Sequence, residues 1–171
     1  MANINRRRLP VGIQSFKEIR TRKYLYVDKT DIIWNLVNGV KYNYLSRPRR
    51  FGKSVLVDTL QAYFEGRRDL FEGLKIMELE QDWTKRPVIR LDMSRGGASE
   101  ATVRSYLNNA FMDYEEDYGI TAQTGDSLAD RFHRIIRTAY RQTGQQVAIL
   151  IDQLCALREE NDDWKYYEES F

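Results

Sequence analysis

The amino-acid sequence predicts an α/β fold in which a parallel sheet is flanked by helices. Short apolar runs alternate with segments of helical periodicity along most of the chain. The last of these runs, Val147–Ile151, is continuous in the way of a strand buried on both faces. The two most distinctive polar features, the basic stretch Ser46–Ser54 and Asp152, each follow directly on a strand candidate.

Tyr24-Leu25-Tyr26-Val27 is a short strand candidate, after which Asp28 or Thr30 caps a helix through Trp34 and Val37 that stops near Gly39. Tyr42-Asn43-Tyr44-Leu45 reads as a strand leading into the basic loop. Beyond the loop, Val55, Leu56, Leu60, Tyr63 and Phe64 fall at helical spacing, and Gly66 stands where a helix C-terminus favours a left-handed residue. A mixed segment from Arg67 to Trp83 precedes a strand over Pro87–Asp92 that ends by Gly96-Gly97. Val103, Leu107, Ala110, Phe111 and Tyr114 predict one amphipathic helix; Leu128, Phe132, Ile135, Ile136 and Ala139 predict another, closed by Gly144. Strands separated by helices imply right-handed β-α-β crossovers, and in such sheets ligands gather at the carboxyl ends of the strands. Both the basic loop and Asp152 would open onto that edge.

Composition bounds the functional classes. A chain of 171 residues with 42% hydrophobic and 30% charged residues suits one compact domain with its own core. A net charge of +2 does not indicate nucleic acid, whose binders concentrate a larger positive excess. The cluster Arg6-Arg7-Arg8 reads as a solvated tail. Cys155 stands alone, so no internal disulfide forms and a reducing compartment is expected. With no signal-peptide pattern and no apolar run long enough for a bilayer, the expectation is a cytoplasmic protein without a membrane partner. A protein partner or homo-oligomer stays open. His133 is the single histidine, which excludes a metal site built on histidines. Asp113, Glu115, Glu116 and Asp117 read as a solvated helix end, and Trp34, Trp83 and Trp164 as packing residues.

The loop carries the chemistry. In the pattern G-x-x-x-x-G-K-[ST], consecutive backbone N–H groups converge on phosphate oxygens at a helix N-terminus, the Lys reaches the β- and γ-phosphates, and the hydroxyl ligates Mg²⁺. Gly52-Lys53-Ser54 match the second half of that pattern, while Arg47 occupies the place of the first glycine. Pro48 removes an amide and pushes Arg47 towards extended backbone, and Arg49 and Arg50 add positive charge. The expected ligand is ATP with Mg²⁺, its phosphates held by Arg49, Arg50, Phe51, Gly52, Lys53 and Ser54. The metal ligands expected are Ser54 and Asp152, because Val147–Asp152 fits a Walker B strand whose carboxylate meets a hydrated Mg²⁺. ATPases of this general type place Glu after that Asp to polarise the attacking water. Here Gln153 follows, and an amide cannot accept the proton, a loss on the order of 10²–10⁴-fold. Nucleotide binding with slow or negligible hydrolysis is therefore expected.

Three stretches together, Leu9–Phe16, Tyr24–Thr30 and Leu45–Ser54, resemble the predicted AAA-ATPase-like family of bacteria. Ala62–Gly66, Leu70–Leu74, Pro87–Ile89 and Leu91–Ser94 resemble it too, so the likeness runs from about Leu9 to Asp152. The missing first glycine is this family's own habit. The resemblance implies a P-loop NTPase-like parallel sheet flanked by helices over 9–152, with Gly52, Lys53 and Ser54 on phosphate and Mg²⁺ and Asp152 as the Walker B acid. Asp28-Lys29-Thr30 matches a family signature, for which capping of the following helix is the favoured role. From 153 to 171 the chain departs from the family into a charged and aromatic tail, which reads as a truncation after Walker B. In related ATPases the strand after Walker B lies between the Walker A and Walker B strands, so the sheet is expected to be incomplete. Two alternatives stand beside the nucleotide reading: a degenerate interaction module that binds no nucleotide, and a nucleic-acid or phosphate binder working through the basic loop.

Overall fold

The computed structural model describes residues 8–48, 50–96, 99–121 and 125–153. Arg6, Arg7, Arg49, Gly97, Cys155, Trp164 and the tail from Leu154 onwards lie outside the described residues. The chain divides between Lys85 and Arg86 into two compact units.

The first unit is built from helices. These are α1 (Phe16–Thr21), α2 (Thr30–Asn38), α3 (Lys53–Phe64) and α4 (Ile76–Leu79), with a 3-10 turn at Arg68–Leu70. Ser15 caps α1 by accepting the Glu18 amide, and Gly66, at φ +69°, supplies the left-handed residue just past α3. Phe16, Ile33, Tyr63, Phe71 and Ile76 form the centre of the core, with Phe16 and Phe71 ring centroids 5.0 Å apart. Trp34 and Trp83 pack around that centre, as expected of them.

The signature Asp28-Lys29-Thr30 acquires a definite structural role. Asp28 Oδ1 accepts the Thr30 amide (2.9 Å) and hydroxyl (2.7 Å), while Oδ2 accepts the Lys75 amide (2.8 Å) from the other end of the unit's sequence. Thr30 Oγ1 in turn accepts the Ile76 amide. The first turns of α2 and α4 each have amides without intrahelical partners, and this one pair of side chains accepts the Thr30 amide of the first and the Lys75 and Ile76 amides of the second. The N-cap of α2 is Lys29, whose side chain makes no capping bond, so Asp28 supports the helix start from the position before the cap and also joins it to α4.

Two strand candidates of this unit do not become strands. Residues 24–27 are outside any helix or strand, with Tyr24 and Tyr26 half-buried and Leu25 and Val27 exposed, and Tyr26 meets Phe16 edge-on at 5.2 Å. Residues 42–45 are likewise outside any helix or strand and exposed, Tyr42 at 82% and Leu45 at 47%. A strand exists only as part of a ladder; among the described residues, 24–27 have a single backbone bond of that kind, from the Leu25 amide to the Arg8 carbonyl at 2.8 Å, and neither segment forms a strand.

The second unit contains β1 (Val88–Asp92), a 3-10 turn at Met93–Gly96, α5 (Glu100–Asp117), α6 (Leu128–Thr143) and β2 (Ala148–Asp152). The two strands pair in parallel, with Val88 opposite Ala148 and Asp92 opposite Asp152. The mixed α/β class and the parallel pairing expected from the sequence are thus present, in a sheet of two strands among the described residues. Ser127 and Asp130 form a reciprocal capping box at the start of α6, and left-handed Gly144 closes it. Ile89, Leu91, Met93, Phe111 and Ile135 make the core, and Phe111 stacks on Phe132 at 5.3 Å.

Two features of this unit differ from the sequence expectation. Glu115 is not part of a solvated helix end: it is 4% exposed and bonded by Arg131 through Nε (2.9 Å) and Nη2 (2.7 Å), while Asp113, Glu116 and Asp117 are exposed. A carboxylate can be buried when a bidentate guanidinium replaces its water, and Asn108 completes the guanidinium's partners. Nor is β2 buried on both faces. Leu150 and Asp152 are buried, but Ile149 and Ile151 are 42% and 46% exposed. The two edges of the sheet also differ. On the outer edge of β1, the Tyr114 hydroxyl accepts the Arg90 amide and donates to the Arg90 carbonyl, and the Tyr106 hydroxyl accepts the Asp92 amide. Burial of the Tyr114 hydroxyl pushes its pKa up, consistent with that closed position.

Candidate phosphate-binding loop

The loop from Ser46 to Gly52 enters α3, and its geometry follows from three residues. Arg50 and Gly52 both hold positive φ, +68° and +75°. A Cβ at Gly52 would meet nothing within 4 Å, so conformation rather than space calls for glycine there. Left-handed residues placed just before a helix turn successive amides towards one point and form a concavity suited to an anion. Lys53 is the first residue of α3, and its ammonium folds back over the loop to donate to the carbonyls of Arg47 and, at 3.2 Å, Pro48.

The start of α3 is electrostatically open. No side chain among the described residues caps it and no acidic residue sits in its first turn, so its first-turn amides and the positive end of the helix dipole are available to an anion. Ser54, in that first turn, has no hydrogen-bond partner for its hydroxyl among the described residues. Arg47, Arg50 and Phe51 are exposed, Phe51 at 67%. The structure therefore gathers Arg50, Phe51, Gly52, Lys53 and Ser54 on one turn of backbone. Arg49 lies outside the described residues.

Sequence reading missed the residue that braces this turn. Asp58, one turn further along α3, accepts the Phe16 amide (2.6 Å) and the Ser15 hydroxyl (3.2 Å). The stretch Leu9–Phe16 thus reaches the loop's helix through its last residues. On the buried side of α3, Thr59, Ala62 and Tyr63 enter the core, and the Tyr63 hydroxyl donates to Glu80. No signal in the sequence distinguishes Asp58 from a solvated helical acid, because its partners lie more than forty positions away.

Asp152 belongs to the second unit, at the carboxyl end of β2. It is 4% exposed, with Oδ2 3.9 Å from an Arg90 guanidinium nitrogen. Directly across the strand pair stands Asp92, whose Oδ1 accepts the Ser94 amide and hydroxyl and whose Oδ2 is 3.8 Å from Arg95. Asp92 was legible as a candidate, since Ile89-Arg90-Leu91-Asp92 repeats the strand-then-carboxylate pattern of Ile149–Asp152. Gln153 follows with φ +58°. The two metal ligands expected from the sequence, Ser54 and Asp152, accordingly sit in different units. Among the described residues no three His, Cys, Asp or Glu side chains gather as a metal site, and no helix is long and apolar enough to cross a membrane. A cleft of about 500 Å³ is lined by Arg20, Lys23, Tyr24, Asp69 and Glu72, but Arg20 is already engaged by the carbonyls of Leu70 and Glu72.

Comparison with known proteins adds a family. A family model described as Predicted AAA-ATPase matches residues 10–161. An uncharacterized protein in the vnfD 5′ region of Azotobacter chroococcum mcd 1 is 37% identical over 153 residues, which cover 88% of this chain and 29% of that protein. The chain thus spans less than a third of the length of this relative. No solved structure matches.

Proposed function

The chain belongs to the predicted AAA-ATPase family, and from that premise we propose that it binds a nucleoside triphosphate, ATP with Mg²⁺, through the loop that opens α3. The observation that carries this reading is the uncapped, acid-free start of α3, preceded by left-handed Arg50 and Gly52 and overhung by the Lys53 ammonium. Each part has a physical task. The amides and dipole at the helix start attract phosphate oxygens without a desolvated counter-charge. Lys53 exchanges the carbonyls of Arg47 and Pro48 for β- and γ-phosphate oxygens, replacing neutral acceptors with charged ones. Arg49 and Arg50 add charge beside the phosphates. The Ser54 hydroxyl supplies an oxygen ligand for Mg²⁺. The role of Asp152 as acidic partner of the metal rests on the family resemblance and is proposed on that ground.

Hydrolysis is proposed to be slow, because Gln153 stands where a base would be needed and an amide orients water without accepting its proton. Calorimetry with ATP, with and without Mg²⁺, on the native chain and on Lys53→Ala tests the binding reading. Binding in the native chain alone supports it. Loss of only the Mg²⁺-dependent increment in Ser54→Ala and Asp152→Asn supports the metal roles. Phosphate release above the spontaneous rate that Lys53→Ala abolishes would overturn the slow-hydrolysis reading.

A second reading, an interaction module that takes no nucleotide, is favoured by one observation: residues 42–45, which lead into the loop, are exposed and are not a strand. Absence of heat with both the native chain and Lys53→Ala decides for it.

A further inference from the structure

The outer face of α6 carries a stripe that neither the core nor the loop uses. His133, Arg137 and Arg141 follow one another at four-residue steps, with Tyr140 between the last two, and all four are exposed. The opposite face holds Phe132, Ile135, Ile136 and Ala139 against the core. Acidic side chains close to the stripe are already committed: Asp130 accepts from Ser127 in the capping box, and Asp126 is paired with Arg134 at 2.6 Å. Arg137 and Arg141 enter no ion pair or hydrogen bond among the described residues. A shallow cleft of about 240 Å³ lined by Asp130, His133, Arg134 and Arg137 starts the stripe, and Tyr140, 53% exposed, stands near its other end.

We propose that this face of α6 binds single-stranded nucleic acid, with Arg137 and Arg141 on phosphates and Tyr140 as a stacking platform. A four-residue step along a helix rises about 6 Å, so Arg137 and Arg141 stand close enough for their long side chains to reach neighbouring phosphates of one strand. Guanidinium forks suit phosphate oxygens better than a point charge does. A half-exposed aromatic ring flanked by arginines offers a base the sequence-independent stacking that single-strand binders use. Arg141 by itself would be explained as a cation at the carbonyl end of the helix, but that account leaves Arg137 and Tyr140 without a task. This site is distinct from the loop that opens α3 and does not depend on the nucleotide reading.

The test is fluorescence anisotropy of a labelled thymidine 20-mer titrated with the whole chain across a range of salt concentrations. The expected result is binding whose logarithmic salt slope is shallower by about 1.4 in the double variant Arg137→Ala/Arg141→Ala, two phosphates at about 0.7 each. Tyr140→Ala should leave the slope unchanged and weaken binding about 5- to 150-fold, the loss of one stacked base. Lys53→Ala should bind the oligonucleotide as the native chain does. No binding at low salt, an unchanged slope in the double variant, or loss of binding in Lys53→Ala overturns the proposal. Equal competition by polyglutamate also overturns it, by making the face a general anion surface. A 20-base-pair duplex bound as tightly as the single strand overturns the stacking role. Arg137, Tyr140 and Arg141 are exposed and Lys53 is half-buried, and unchanged far-ultraviolet circular dichroism verifies that each variant is folded.

Discussion

Replacing Asp28 by Ala should destabilise the first unit by about 2–4 kcal/mol. The carboxylate receives three hydrogen bonds, from the Thr30 amide, the Thr30 hydroxyl and the Lys75 amide, at 2.7 to 2.9 Å. Bonds to a charged group contribute roughly 1.5–3 kcal/mol each. The three share one acceptor and Asp28 is only half-buried, so they do not add, and water recovers part of the loss. About 2–4 kcal/mol is nonetheless a large part of a total stability of about 5–15 kcal/mol. Asp28→Asn keeps one acceptor oxygen for Thr30 but presents an N–H₂ to the Lys75 amide, and should cost about half as much. The pH dependence gives an independent check. Burial alone would raise the Asp28 pKa, but the bonds from Thr30 and Lys75, with the Lys75 charge, outweigh it and hold the carboxyl below its ordinary value. A group with a depressed folded pKa contributes stability that is present above its unfolded pKa and lost as pH falls through the folded one. The native chain should therefore lose stability more steeply than Asp28→Asn below about pH 4. Urea unfolding followed by tryptophan fluorescence in a Trp164→Phe background measures it, since Trp34 and Trp83 both belong to the first unit. At about 2 kcal/mol per molar urea, the Ala midpoint should fall by roughly 1–2 M. A midpoint shift under about 0.3 M, or the same acid slope in both chains, would refute the staple.

Three further outcomes follow from the same structure. Glu115→Ala leaves the Arg131 guanidinium buried with Asn108 alone and should cost about 3–5 kcal/mol in thermal unfolding, whereas Glu115→Leu with Arg131→Met should recover most of it. Tyr114→Phe strips the partner from the Arg90 amide on the outer edge of β1, so hydrogen exchange there should accelerate by roughly tenfold or more, with about 1–3 kcal/mol lost. Gly52→Ala forces a side chain into φ +75° at a cost of about 1–2 kcal/mol, and should weaken ATP binding by about tenfold, while Gly73→Ala, at φ +74° outside the loop, should leave binding unchanged.

Much of the local structure was legible. The helices of α2, α3, α5 and α6 declared themselves through apolar spacing, and Gly66 and Gly144 marked two of their ends, because those signals act over a few residues. The strands Val88–Asp92 and Ala148–Asp152 were legible from their apolar runs, and the Gly52-Lys53-Ser54 turn from its residue types. Residues 24–27 and 42–45 show the limit: both read as strands in the sequence and neither is one in the structure, because a ladder is a property of two segments, not one.

The sequence by itself determined four of the helices, α2, α3, α5 and α6, the two paired strands and the basic turn before α3, whereas α1 and α4 were not legible in it. Tertiary structure decided which polar side chains are structural. Asp58 became the brace of the loop's helix through Ser15 and Phe16, and Asp28 joined two helix starts through Lys75. Glu115 went inside because Arg131 met it there, and Tyr114 closed a sheet edge. A carboxylate or hydroxyl has the same letter whether water or protein satisfies it. Only the fold brings the distant partner within hydrogen-bond reach, and that contact, not the residue type, sets its burial and its role.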